Sequence, residues 1–453
     1  MLKRTRLSNY MKILGFLGAL LPLSSFSADG YLSYERFIRL NNPNNKTDAT
    51  NWFGLSFDTD HTRKKLDAHL DTDFRYYTST ENNNLNFSLS EAYVQYNEED
   101  TRWTVGRKLM NWTHHERYWQ LGYMNAQQGF KLLGEKQEGL FGVHYDYKPS
   151  KGFRFSGILS YFYLPALNPE IDVRNGEIVS TSEWKKLPPT KTRIQGLVVP
   201  IQYDVQRPAI SDVVFQKTLG AKGEYSWGTG LVQAYAIYKP ENTIRSNAEA
   251  YYDLADQAVK VKANPVVNHH AMYGTSVHQK AGDVLLSSGM DVIDPNAKLG
   301  KDFDIIDPVK LQQSNRTFES DFFKIQPSYD RESYFYGRAY VDRLFYNVSL
   351  NYIQLLSNNV RTSDDFFSDT VKFKRAVGTQ INYWFSDQLS TMIDLKYDLD
   401  RKDNILRGEM SYRFNRYMSA AVGAELIKAP QDDSYWAPYR ANDTVFTSFG
   451  YHF

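Results

Sequence analysis

No cysteine occurs anywhere in this chain. Disulfide frameworks, thiolate zinc sites, haem attachment through cysteine, iron–sulfur clusters and cysteine nucleophiles are all excluded with it. Long apolar runs are missing too. After the first thirty positions none reaches the ~18 residues of a membrane-spanning helix, and the mean hydropathy is -0.54, so a polytopic helical membrane protein is excluded. Neither sign of charge dominates: 53 Lys and Arg stand against 52 Asp and Glu, a balance that gives no reason to expect nucleic acid as a partner. Catalytic signatures are equally scarce, with no HExxH, no Gly-x-Ser-x-Gly elbow, no phosphate-cradling glycine loop and no dinucleotide fingerprint. Neither an enzyme nor a cofactor is expected. What is abundant is aromatic, since 33 Tyr, 27 Phe and 8 Trp make up 15% of 453 residues that are otherwise polar on average. That length allows two or three soluble domains or one large barrel.

The two ends of the chain carry addresses. Lys3, Arg4, Arg6 and Lys12 precede an apolar stretch from Ile13 to Leu23, then Ser24, Ser25, Phe26, Ser27 and Ala28, the charged, apolar and small-residue order of a secretory signal. Ser25 and Ser27 have the small side chains a cut after Ser27 requires, so residues 1–27 are expected to be removed; the alternative is an uncleaved anchor, for which the apolar core is short. Removal leaves 49 basic groups against 52 acidic ones, a formal charge of -3. At the other end Val445, Phe449, Tyr451 and the terminal Phe453 share one parity. This ending resembles the last strand of bacterial outer-membrane β-barrels, and the resemblance implies that Phe449, Tyr451 and Phe453 form a recognition signal for barrel-assembly machinery.

Between those ends, alternation of period two recurs. Leu389, Thr391, Ile393, Leu395 and Tyr397 oppose Ser390, Met392, Asp394, Lys396 and Asp398; Leu406, Gly408, Met410, Tyr412 and Phe414 oppose Arg407, Glu409, Ser411 and Arg413; Leu66, Ala68, Leu70, Thr72, Phe74 and Tyr76 oppose Asp67, His69, Asp71, Asp73 and Arg75. One oily and one charged face over ~9 to 11 residues is what a transmembrane strand needs. Expected strands fall near 30–40, 51–58, 65–77, 85–96, 102–109, 139–147, 153–163, 217–227 and 230–238, and again near 318–327, 332–343, 344–357, 371–385, 389–400, 404–415, 418–429 and 443–453. Very short connections, such as Gly228-Thr229, Asp387-Gln388 and Arg416-Tyr417, alternate with long ones. For the two counts to meet, an odd number of strands must cross within 239–317. One, from the stretch Met272 to His278 or Val284 to Ile293, brings the total to eighteen. The expectation is therefore an all-β, transmembrane antiparallel barrel of about eighteen strands, within a range of sixteen to twenty, with residues 28–453 as its single domain. A helix is expected near Asn247 to Ala258.

Long insertions fall near 110–138, 164–212 and 239–317. Such loops are usually functional or disordered, and in a barrel wide enough to hold a channel the inward-folding ones would form its constriction; the alternative is a solvated surface loop. Residues 294–317 would form a periplasmic plug if the strand before them descends. The pairs His114-His115 and His269-His270 cannot chelate unaided, because neighbours on a strand point to opposite sides, and the string Asp291, Asp294, Asp302, Asp304 and Asp307 lacks the spacing of a calcium loop. No metal is expected.

Ser90, Glu91, Ala92, Tyr93 and Val94, a short turn, then Thr104, Val105, Gly106 and Arg107 followed by Trp112, resemble the Glu-Ala-Tyr and Gly-Arg hairpin of alginate-export barrels and related porins. The resemblance covers about 25 residues and implies an eighteen-stranded monomer with Arg107 in an arginine-rich lumen. Lys108 and Thr113 depart from the pattern, so the substrate does not carry over. From the residues alone, Gly106 permits a bulge and Arg107 bonds a neighbouring carboxylate.

The parity assigns Asp67, His69, Asp71, Asp73, Arg75, Arg107, Arg338, Lys372, Lys374, Asp394, Lys396, Asp398, Arg407, Glu409 and Arg413 to the channel lining. Basic and acidic residues on the inward rows balance, unlike the basic excess of a polyanion exporter. The expected function is a porin-type channel of the cell outer membrane for small hydrophilic solutes, in contact with outer-membrane lipid and lipopolysaccharide. The alternatives are an alginate-like exporter of anionic polysaccharide and a closed barrel acting as adhesin or scaffold.

Overall fold

The computed structural model describes residues 27–40, 49–78, 83–295, 304–305, 323–325, 331–357 and 371–453, apart from positions 114, 132, 135, 170, 181–183, 185, 195 and 254. Residues 1–26 of the expected signal segment 1–27, residues 318–322 and 326–327 of the strand expected near 318–327, and His114 lie outside the described residues.

Eighteen strands form one continuous wall. They are β1 Ser27–Arg39, β2 Ala49–Arg63, β3 Leu66–Thr78, β4 Asn83–Asn97, β5 Thr101–Lys108, β6 Leu140–Ser150, β7 Phe153–Ser160, β8 Thr218–Trp227 and β9 Gly230–Pro240. They continue as β10 His269–Ala281, β11 Val284–Pro295, β12 Glu332–Arg343, β13 Tyr346–Leu355, β14 Arg375–Trp384, β15 Leu389–Asp398, β16 Asn404–Arg413, β17 Met418–Lys428 and β18 Thr444–His452. Every strand pairs antiparallel with its sequence neighbour. The sheet closes where β1 pairs β18, from Tyr31 opposite His452 to Arg39 opposite Thr444. Closure removes the unpaired edge that an open sheet of this size would expose. At the seam the Gly30 and Phe453 backbones exchange hydrogen bonds of 2.9 and 3.0 Å. The Phe453 ring lies over Gly30, where any Cβ would overlap it, so the terminal aromatic and the glycine are a matched pair.

The start of β1 and the end of β18 lie at one rim, the terminal rim, together with the short turns 64–65, 98–100, 151–152, 228–229, 282–283, 344–345, 385–388 and 414–417. The distal rim carries the long connections, including 109–139, 161–217 and 241–268.

The outer face is apolar. Val94, Val105, Leu159, Leu219, Val277, Leu286, Leu350, Val377, Ile393, Leu395, Met410 and Val422 are exposed around the circumference. Below them exposed rings gather at the terminal rim, among them Trp103, Phe153, Trp227, Phe385, Phe414, Tyr417, Tyr451 and Phe453, and adjacent rings touch, with centroids 4.6 Å apart for Phe153 and Tyr225 and 5.0 Å for Tyr412 and Phe414. An oily band edged by aromatics is the surface a lipid bilayer solvates, and it accounts for the aromatic excess.

Four expectations are corrected. Two wall strands, β10 and β11, cross where one was expected. Phe323–Ile325, within the expected strand 318–327, pairs not with the wall but with Arg245–Asp253. The two changes offset each other, because a barrel with both termini at one rim needs an even number of strands. The expected helix at 247–258 is a hairpin, Arg245–Asp253 against Ala258–Val266, with Gln257 at a positive φ of 48° in the turn. Finally, β11 runs toward the distal rim, so the condition for a periplasmic plug after residue 294, a descending strand before it, is not met; residues 296–303 and 306–317 lie outside the described residues.

The connections at the distal rim build a second, smaller sheet in which Lys191–Ile194, Leu197–Val205, Ala258–Val266, Arg245–Asp253, Phe323–Ile325 and Asp304–Ile305 lie in that order. Val199, Ile201, Tyr203, Ala248, Ala250, Val259 and Val261 form its core.

Candidate functional site: a loop across the lumen

The insertion between β5 and β6, residues 109–139, does not lie on the surface. It is rich in bulky apolar residues for a loop, and Met110, Trp112, Trp119, Met124, Phe130 and Leu133 are all buried. Inside a polar lumen such a loop must bring its own core, and it does so against inward apolar residues near the distal rim, including Ile237, Met272, Ile293, Ile353 and Ile405. A five-residue helix, α1 His115–Trp119, sits at its centre.

Anchors reach this loop from most of the circumference. Gln233 of β9 donates to the Trp112 carbonyl at 3.0 Å, and Lys239 donates to the Tyr123 carbonyl at 2.9 Å. His115 pairs with Asp291 of β11 at 3.0 Å, and its ring stacks on Tyr336 of β12 with centroids 3.7 Å apart. Asp291 also accepts from the Tyr235 hydroxyl at 2.9 Å. Tyr123 donates to Glu332. Across the lumen, Lys136 pairs with Asp71 at 2.9 Å, Lys131 with Glu35, and Arg407 donates to the Leu133 carbonyl at 2.8 Å. Within the loop, Glu116 accepts from Thr113 at 3.0 Å and from the Met124 amide at 2.5 Å. Burial pushes the Glu116 carboxyl above the usual carboxylate range.

The return of this loop to the wall explains Gly106 and Arg107. β4 carries an extra residue at Ser90, between Asp71 opposite Glu91 and Thr72 opposite Leu89, and Gly106 adopts a φ of 134° that a side chain would rarely tolerate. Arg107 is turned into that joint and buried. It donates to the Leu89 carbonyl at 2.7 Å, the Gly139 carbonyl at 2.9 Å and Glu138 at 3.2 Å. It fastens loop to wall; the residues alone had suggested only that it bonds a neighbouring carboxylate, here Glu138.

The other expected lining residues fall into three groups. Around the loop, Asp71 holds Lys136, Asp73 holds Arg75 and accepts from Ser56 at 2.8 Å, Asp394 holds Lys396 at 2.6 Å, and Arg407 holds Glu409 at 3.2 Å. Toward the terminal rim, Asp67 accepts from Gln95 at 3.2 Å and Asn97 at 2.5 Å, His69 lies 2.9 Å from Asp60, and Arg413 is exposed. At the distal end, Lys372 donates to the Gln120 carbonyl, and Asp398 accepts from the backbone amides of Lys374, Asp400 and Arg401 at 2.8, 2.9 and 3.0 Å. Arg338 faces the lumen beneath α1. Phe449, Tyr451 and Phe453 point outward beside the seam.

Glu35, Lys131, Lys136, His115, Tyr118 and Asp291 were missed as a set, although the apolar density of 110–133 was a signal that this insertion packs. Of the residues weighed for metal, His115 is taken by Asp291, His269 stacks on Tyr238 with centroids 5.1 Å apart, and His270 is buried. A metal-sized grouping does exist among the described residues, at Asp58, Asp60 and His69, whose ligand atoms lie within 4.8 Å of one another.

Asp58 and Asp60 point inward near the terminal rim, and their side chains are 62% and 75% exposed. At the level of the loop Asp71, Lys136, Arg75, Arg407 and Glu409 keep between 22% and 27%. These side chains remain accessible between loop and wall along β3 and β16.

Fold and site together define a closed antiparallel barrel with a charged interior narrowed by an inserted loop. No protein-family profile and no curated protein matches the chain. Solved structures similar to it include OccAB4 of Acinetobacter baumannii, with 10% identity and a TM-score of 0.45 over 95% of this chain and 98% of that one. OccK9 (OpdG) of Pseudomonas aeruginosa has 8% identity and a TM-score of 0.45 over 95% and 97%. OmpF of Salmonella typhi, in complex with daunomycin, has 10% identity and a TM-score of 0.41 over 94% and 97%. The alginate-export resemblance finds no support among these structures.

Proposed function

We propose that the chain is a porin-like channel of the bacterial outer membrane through which small hydrophilic solutes diffuse passively. The observation that carries this reading is the hydrated interior: inward carboxylates exposed below the loop, and ion pairs still a quarter exposed beside it. The apolar band and its aromatic edge supply the surface for outer-membrane lipid and lipopolysaccharide, and the Phe453 seam suits recognition by barrel-assembly machinery. Selectivity in such a pore follows from width and from the sign of its lining charges. Here most wall cations are matched by carboxylates, which speaks against a dedicated exporter of polyanions and for a size-limited passage.

The test is swelling of proteoliposomes in isosmotic neutral sugars of graded size. Rates that fall steeply from a pentose to a disaccharide support the reading. Swelling no faster than in protein-free vesicles for every sugar overturns it.

A further inference from the structure

Carboxylates crowd one side of the lumen near the terminal rim. Alternation along β2 and β3 turns Asp58, Asp60, His69 and Asp71 inward, and the strand register sets Asp60 opposite His69 and Asp58 opposite Asp71. Asp29 faces Asp58 from β1, and Glu91 faces Asp71 from β4. Two of these acids are answered within the chain, since Lys136 pairs with Asp71 at 2.9 Å and the Leu109 amide donates to Glu91 at 2.8 Å. Asp58 and Asp60 are not. Among the described residues no lysine or arginine pairs with either, and the group that both approach is the His69 ring.

That ring makes the cluster more than a patch of acids. Asp60 Oδ1 lies 2.9 Å and Asp58 Oδ1 3.7 Å from its Nδ1, while Glu91 Oε2 lies 3.7 Å from its Nε2. Tyr93 of β4 packs against the ring, with centroids 5.1 Å apart, and holds its orientation. A neutral imidazole has one N–H for its two nitrogens; pointed at Glu91, it leaves the Nδ1 lone pair facing two carboxylates, and a cation must stand between them. A proton on Nδ1 would bond Asp60 and leave Asp58 unanswered. A metal ion serves all three, because the ligand atoms of Asp58, Asp60 and His69 lie within 4.8 Å of one another, and ligands at about 2.0–2.2 Å from a common cation stand roughly 3–3.5 Å apart.

The wall gives these ligands a rigid mounting. Two of them stand two residues apart on one strand and the third on its antiparallel neighbour, so all three rise from one face of the sheet. Glu91 adds the outer support that metal-binding histidines usually have, a carboxylate taking the other N–H, which fixes the tautomer and raises the basicity of the ligating nitrogen.

We propose that Asp58, Asp60 and His69 bind a divalent transition-metal cation of the Zn2+ type at the terminal-rim mouth of the lumen. The imidazole donor selects that class over Ca2+ and Mg2+, which favour shells of oxygen alone. Three protein ligands leave a coordination position to water, and both aspartates are open to the lumen, so the ion exchanges with solution. The site stands on its own geometry and does not depend on the channel reading. If the lumen conducts, loading offsets two negative charges at one of its mouths.

Two measurements test the site. In the first, Zn2+ and then Ca2+ are titrated calorimetrically into the detergent-solubilised full chain, for the unaltered protein, His69→Ala, Asp60→Asn, Glu91→Gln and the control Asp342→Asn, an exposed carboxylate on β12. Faster migration of unheated protein on detergent gels establishes that each variant is folded. The expected results are one Zn2+ per chain, affinity lower by about ten- to hundredfold in Glu91→Gln, larger losses in His69→Ala and Asp60→Asn, no change in Asp342→Asn, and weaker binding of Ca2+ throughout. Equal Zn2+ affinity in the unaltered chain and in His69→Ala overturns the site, and so does the absence of saturable Zn2+ binding. Ca2+ bound as tightly as Zn2+ overturns the assignment to a transition metal. In the second, reversal potentials are recorded in a salt gradient across planar bilayers, where saturating Zn2+ should shift the unaltered chain toward anion preference and leave His69→Ala unmoved. His69-dependent Zn2+ binding by a barrel that conducts nothing would sink the channel reading alone and leave the metal site standing.

Discussion

Arg107 and Leu395 show how differently single side chains act in this wall. Arg107 and Glu138 are both buried at the joint between β5 and the inserted loop. Removing one partner of such a pair strands the other charge, so Arg107→Ala is expected to cost about 3–5 kcal/mol. The double variant with Glu138→Gln should recover part of that loss, as read by urea unfolding in detergent or bilayer. At Leu395, exposed on the lipid face, an arginine should cost about 2–4 kcal/mol, whereas Asp394→Asn combined with Lys396→Gln, on the inward face, removes both partners of their ion pair and should unfold at nearly the same denaturant concentration as the unaltered chain. Similar damage from Leu395→Arg and from the inward double variant would contradict the assignment of faces. Parity made both of these positions legible in the sequence. That Arg107 bonds a carboxylate was legible only as one of two readings and its burial was not legible at all, because the extra residue at Ser90 and the return of Glu138 are set by chain segments far from the motif.

Among the elements, the wall strands were easier to read than the connections, and the reason is physical. Alternation reports that one face of a strand is buried or lipid-bound and says nothing of its partner. Arg245–Asp253 and Ala258–Val266 alternate as wall strands do, yet they pair with each other and with Leu197–Val205 in the small distal sheet. The expected helix at 247–258 failed for a related reason: Ala248, Tyr251, Tyr252, Leu254 and Ala255 are loosely periodic across what is a hairpin. The constricting loop was marked as an insertion, but its anchors are side chains from strands remote in sequence. One connection carries a pH prediction. Asp403, buried between β15 and β16, accepts from Ser434 at 2.5 Å, and desolvation raises its pKa from the ordinary 3.8 to about 6. The folded state thus binds a proton more tightly than the unfolded one, so this group's contribution is present below pH 4 and is lost as pH rises through 6. Amide exchange in residues 399–403 should quicken between pH 4 and 6 beyond the intrinsic base-catalysed trend, and Asp403→Asn should abolish that excess.

For the whole molecule, closure and hydration are the two properties from which the rest follows. Closure rests on the β1–β18 seam, where Phe453 covers Gly30. Deleting Phe453, or replacing Gly30 with Val, should abolish the faster migration of unheated protein on detergent gels that marks a folded barrel. Hydration rests on the exposed inward carboxylates and on the accessible side chains beside the inserted loop, and its most direct measurement is single-channel conductance in planar bilayers. The unaltered chain should give discrete steps that scale with salt concentration. A variant in which a short Gly-Ser linker replaces residues 112–134 should give steps at least about twofold larger, because the vacated lumen fills with water. Absence of steps from both proteins at every voltage, with the barrel folded, would contradict the channel and leave a closed scaffold in its place.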